Sequence, residues 1–139
     1  MTDKHSMSFF GQQSAIIINS VYNSMDTFIR HIKKKSDGTW EKPSAGEGKS
    51  IKLNLKEIIG MSEVLRKEVR DWSTVHSFKE NKTTINLSWE DETAQKLWVN
   101  IDDRVKLIRK EEAEILKLLF EHFIKEKIEF ATVSTPQET

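Results

Sequence analysis

The chain has 139 residues, no cysteine, and 22 Lys+Arg against 22 Asp+Glu. That length fits one domain, and an apolar fraction of 37% suffices for one core. Disulfides, thiolate metal sites and a cysteine nucleophile are excluded, and any attraction for a polyanion has to come from local patches, since the net charge is zero.

No apolar run approaches the roughly 20 residues that span a bilayer. The N-terminus Met1-Thr2-Asp3-Lys4-His5 lacks the apolar core of a signal peptide. A cytoplasmic, non-membrane protein is expected, and the absence of cysteine fits that compartment. No internal repeat is visible.

Residues 12–35 read as a long helix. Ile17, Val21, Met25, Phe28 and Ile32 recur at three- and four-residue spacing. Arg30, His31, Lys33, Lys34 and Lys35 crowd its C-terminal end, where they suit either the helix dipole or a phosphate. Asp37-Gly38 stops it. Residues 36–49 read as a loop with Gly38, Pro43, Gly46 and Gly48; it carries Trp40, Lys42 and Lys49. Trp40 is either a plug packed back onto the domain or a binding group.

Residues 49–54 read as a short strand with Ile51, Leu53 and Leu55 alternating. A helix over about 55–71 follows, with Asn54 as N-cap and Glu57 three residues on, as in a capping box. The densest strand signal comes next, over 72–79, 83–89 and 96–101. Asp102-Asp103 marks a tight turn before a short strand at 105–108. Residues 110–128 read as a long helix with Ala113, Leu116, Phe120 and Phe123 inward. The tail 131–139 is polar and reads as disordered. The predicted class is α+β: one domain whose α+β core at 50–128 is an antiparallel meander covered on one face by helices, plus the long N-terminal helix.

The 72–89 hairpin decides which side chains share the open face. A three-residue loop Lys79-Glu80-Asn81, with Asn81 in the left-handed region, pairs Phe78 with Lys82 and Val75 with Ile85. Val75, Ile85, Leu87 and Trp89 then face the core. Trp72, His76, Phe78, Lys82, Lys96 and Trp98 share the open face. A two-residue turn at Glu80-Asn81 reverses the arrangement and sends Trp72, His76 and Phe78 inward; the three-residue loop is preferred because it keeps His76 out of the core and puts Val75 in. Aromatic rings among cations suit single-stranded nucleic acid, each stacked base being worth about 1–3 kcal/mol. An ordinary solvated face with aromatics packed under a loop is the competing reading.

Catalytic spacings are absent. Gly46-Glu47-Gly48-Lys49-Ser50 lacks the spacer and first glycine of a P-loop. His5, His31, His76 and His122 lie on different elements without metal-ligand spacing. No serine sits in a Gly-x-Ser-x-Gly elbow. A non-enzymatic protein with no cofactor and no metal is therefore expected.

The stretch Gly48-Lys49-Ser50-Ile51-Lys52-Leu53-Asn54-Leu55-Lys56-Glu57 resembles the strand-to-capped-helix junction of the positive-cofactor-four transcription coactivators and the Whirly proteins. The order of elements, with Trp72-Ser73-Thr74-Val75-His76-Ser77-Phe78 feeding a meander and a closing helix, is similar to archaeal single-stranded DNA-binding proteins of the ThermoDBP type; small proteins of comparable layout occur in archaeal viruses. The resemblance covers residues 40–128 in layout. It implies an open sheet side or cleft that holds single-stranded DNA, or RNA, on Trp72, His76, Phe78 and Trp98 with neighbouring lysines. The long N-terminal helix is not part of the coactivator pattern, and the neutral charge departs from the basic surface of those families. The candidate binding set is thus Trp40, Lys42, Lys49, Trp72, His76, Phe78, Lys82, Lys96 and Trp98, in a homodimer. The alternative function is an assembly module that dimerises through its helices.

Overall fold

The computed structural model describes residues 4–133, apart from the Phe78 side chain. Within them β1 (Lys4–Phe10), β2 (Ser14–Val21), β3 (Thr27–Lys33) and β4 (Lys49–Leu53) precede α1 (Leu55–Leu65). Then β5 (Asp71–Phe78), β6 (Asn81–Trp89), β7 (Lys96–Ile101) and β8 (Arg104–Arg109) precede α2 (Lys110–Thr132). Each set of four strands is an antiparallel meander in sequence order.

The expected N-terminal helix over 12–35 is instead a β-hairpin, with β2 and β3 paired from Ser14↔Lys33 to Ser20↔Thr27. β-Branched residues make up about half of these two strands and suit a pleated surface. The helical stripe was an alias. Ile17 and Val21, like Phe28 and Ile32, are four residues apart, and an even offset also returns to one face of a strand. Met25 falls in the connection between the strands. The fold is therefore α+β with two four-stranded sheets, one of which was not anticipated.

One apolar cluster takes residues from both sheets and both helices. Phe9, Ile16, Ile18, Ile29 and Leu53 enter from the first sheet, and Ile85, Leu87, Leu97, Val99 and Ile101 from the second. Ile58, Met61 and Val64 of α1 and Leu116, Phe120 and Phe123 of α2 belong to the same cluster. The core thus begins well before residue 50. Trp89 donates its indole N–H to the Val64 carbonyl at 2.7 Å, fixing β6 against α1.

Three polar contacts tie the two halves together, one strand to strand, one through the β7–β8 turn and one through the loop after β3. His31 donates Nε2–H to the Val105 carbonyl (3.0 Å), Lys49 pairs with Asp102 (3.0 Å), and Arg104 with Glu41 (2.6 Å). His31 is fully buried, and burial holds its pKa below the ordinary histidine value. Gly48 closes this region. Its φ is +82°, and a Cβ there would lie 2.8 Å from the His31 carbonyl oxygen, so only glycine fits.

The capping box read from the sequence is present: Glu57 N–H donates to Asn54 Oδ1 and Asn54 N–H to Glu57 Oε1, each at 2.9 Å. α1 is shorter than expected. It ends at Leu65, Lys67 turns left-handed (φ 66°), and Val69 is exposed. The expected end of α2 at residue 128 extends to Thr132. The polar tail beyond 133 lies outside the described residues. Among the described residues no helix is long and apolar enough to cross a membrane.

Candidate nucleic-acid interface

The β5–β6 hairpin turns through two residues, Lys79 and Glu80, with Lys79 left-handed (φ 57°) and Phe78 opposite Asn81. The three-residue loop is not formed. Trp72 therefore pairs with Leu87, and Thr74 with Ile85, on the inner face. The cause is tertiary. Trp72 packs against Gly60 of α1 and joins the core cluster, and His76 Nε2 lies 2.5 Å from Glu57 Oε2. Keeping His76 out of the core was the reason for the other register, and Glu57 removes that reason by supplying a partner. Val75 points out and is 54% exposed.

Trp72 and His76 are thus withdrawn from the predicted open face. The Phe78 side chain lies outside the described part of the structure. Trp98, Lys82 and Lys96 do share the outer face of the second sheet. Trp98 is half-buried between its cross-strand neighbours Ser88 and Leu107. Asn86 and Asn100 pair beside it, and Asn100 donates its amide to Asn86 Oδ1 at 3.4 Å. Lys82 and Lys96 form no ion pair among the described residues.

Trp40, Lys42 and Lys49 sit elsewhere, around the first sheet. Trp40 bridges Lys34 through the backbone and meets Phe10 edge-on, with ring centroids 5.1 Å apart. It is a plug over the sheet, with the Lys34 ammonium 5.7 Å from its ring. Lys42 is exposed beside it, and Lys49 is committed to Asp102.

The outer face of the first sheet was not foreseen. Phe28, Arg30, Asn19, Lys4 and Lys52 project from it, as the register β1–β2–β3–β4 requires. The Arg30 guanidinium lies 5.3 Å from the Phe28 ring centroid and donates to Asn19 Oδ1; Asn19 donates onward to Ser6 Oγ at 2.9 Å. A groove of about 520 Å³ runs here, lined by Lys4, Ile17, Asn19, Arg30, Pro43, Ser44 and Ser50. Its signal in the sequence was the lack of acids in the strand segments, which a helical reading concealed.

Charge is segregated across the molecule. Among the described strands Asp71 is the single acid, against ten lysines and arginines. The carboxylates lie in helices, turns and loops; α2 alone carries Glu111, Glu112, Glu114, Glu121, Glu126 and Glu129. A neutral chain therefore presents basic sheets.

No family model and no curated protein matches the sequence. Among solved structures, the chain is similar to one described as crystal structures of Trypanosoma bruciei MRP1/MRP2, with a TM-score of 0.58 and 8% identity. The match covers 94% of this chain and 89% of that one. At that identity the likeness concerns the fold.

Proposed function

We propose that this is a non-enzymatic protein that binds single-stranded nucleic acid, DNA or RNA, with little sequence preference on the outer faces of its sheets. The observation that carries the reading is the charge segregation. Lys96 and Arg109 lie beside Trp98 on one outer face, and Lys4, Arg30 and Lys52 lie about Phe28 on the other; the single strand acid, Asp71, lies two strands from Trp98. Rings of this kind stack any base, and the cations meet phosphate without reading sequence. The resemblance of the sequence to ThermoDBP-type, Whirly and coactivator proteins points the same way.

The test is fluorescence titration with a mixed-sequence single-stranded oligonucleotide at low and high salt. Salt-sensitive quenching is expected, which duplex DNA does not reproduce. Trp98→Ala should cost about 1–3 kcal/mol of binding. Removing Arg30 or Lys52 should lower the log–log salt slope by roughly 0.7 for each lost phosphate contact. Binding unchanged in all three variants, or indifferent to salt, would sink the reading.

A second reading, assembly of two copies through the helices, is favoured by Ile115 and Leu118, one turn apart on α2 and about half exposed.

A further inference from the structure

We infer that His5, His122 and Glu126 form a binding site for one zinc-type divalent cation that pins the first strand to the last helix. The inference is independent of the nucleic-acid reading. His122 and Glu126 are four residues apart, so α2 presents both on one face. His5 comes from β1, opposite Ser20 of β2.

Three atoms converge. His5 Nε2 lies 3.2 Å from Glu126 Oε2, His122 Nε2 lies 3.1 Å from the same oxygen, and the two imidazole nitrogens are 3.2 Å apart. This triangle is nearly equilateral. Ligands held tetrahedrally at about 2.0–2.1 Å from zinc are themselves about 3.3 Å apart. The triangle therefore matches one face of a zinc tetrahedron almost without movement.

Hydrogen bonding alone satisfies these groups poorly. If both histidines donate to Oε2, their N–H groups oppose each other across 3.2 Å. A cation removes the conflict, because two neutral imidazoles then present lone pairs and the carboxylate supplies charge. Glu126 adds an independent sign. Its side chain is only 9% exposed, and its buried Oε1 has no hydrogen-bond partner among the described residues. The adjacent Lys127 does not supply the missing hydrogen bond, since that ammonium donates to Ser20 Oγ (2.5 Å) and the Val21 carbonyl (2.9 Å). The histidine side chains are 40% and 51% exposed, which leaves an entry path and an open fourth position. Two imidazoles and one carboxylate favour zinc-like ions over magnesium or calcium.

The experiment uses the untagged full chain, stripped with a chelator and titrated with Zn²⁺ by calorimetry, with thermal unfolding alongside. One ion per chain and a rise in Tm are expected, and Mg²⁺ should do neither. An outer partner of a metal site is worth roughly 10–100-fold in affinity. His122→Ala removes a ligand outright and should cost about 100-fold or more and abolish the Tm rise. His5→Ala, on the edge strand, should behave alike, which covers a folding defect in either variant. His76→Ala should bind normally. Zinc affinity equal in wild type and the His5→Ala/His122→Ala double variant, or no saturable binding, overturns the inference.

Discussion

Glu41 is the most strongly perturbed carboxylate whose cause can be read atom by atom. Arg104 donates to both its oxygens, at 2.6 and 3.2 Å, and the Lys33 N–H adds a third hydrogen bond at 2.8 Å. The Arg104 guanidinium holds the pKa down to about 2, against an ordinary 4.5. A depressed carboxylate stabilises the fold fully above its unfolded pKa. That contribution, on the order of 2 kcal/mol, is lost as the pH falls from about 4.5 through about 2. Urea unfolding across this window should give a steep acid limb for the wild type and a flatter one for Glu41→Gln. Parallel limbs would show that the pair adds nothing to pH-dependent stability. The pair is largely buried, 15% and 19% exposed, and it joins β8 to the end of β3 through Glu41 and Lys33, so its loss should loosen one sheet from the other.

At the scale of elements, α1 and β5 meet where Gly60 faces Trp72. A Cβ on residue 60 would collide with the indole Nε1 and Cδ1. Alanine in place of a helical glycine gains up to about 1 kcal/mol in propensity. Overpacking costs about 1–3 kcal/mol. Gly60→Ala should therefore be destabilising, by roughly 1–2 kcal/mol in denaturant unfolding. A stabilised variant would mean that Trp72 is on the other face after all. The elements that the sequence made legible share one property: their signals are local. Asn54 and Glu57 announce α1 through a cap that needs four residues, and Ala113, Leu116, Phe120 and Phe123 trace a helical face. The failures required distant partners. No residue type in the sequence around Lys79 announces a left-handed lysine; Gly60 and Glu57 on another element favour that turn. Of the candidate site, Trp98, Lys82 and Lys96 were placed correctly because alternation in β6 and β7 is strict, whereas Trp72 and His76 followed the hairpin to the other face. The second outer face was lost with the misread hairpin of β2 and β3. The histidine pair leaves no local signal in the sequence, because His5 and His122 are 117 residues apart.

At the scale of the whole molecule, a neutral chain has sorted its charges, with basic sheets and an acidic last helix. On the proposed nucleic-acid reading, long-range attraction of the polyanion rests on that sorting and weakens with salt. The same sorting leaves the outer row of α2 for a different use. Ile115 is 45% and Leu118 54% exposed on α2, and Ile59 on α1 is 37% exposed. A second copy is the simplest cover for such a row. Sedimentation equilibrium should find a concentration-dependent dimer, and Leu118→Glu should return it to a folded monomer. A wild type that stays monomeric at high concentration would rule out assembly through this row.

Every strand in both sheets pairs with its neighbour in the chain. Apart from β3–β4, whose connection runs over 34–48, the pairings close across short connections, so most of each meander can zip at little loop-closure cost. The late and slow event is then the docking of the two halves, when β8 reaches His31 and α2 reaches β1. Refolding kinetics should accordingly be most sensitive to substitutions at that seam, and least sensitive to those within a hairpin's solvent face.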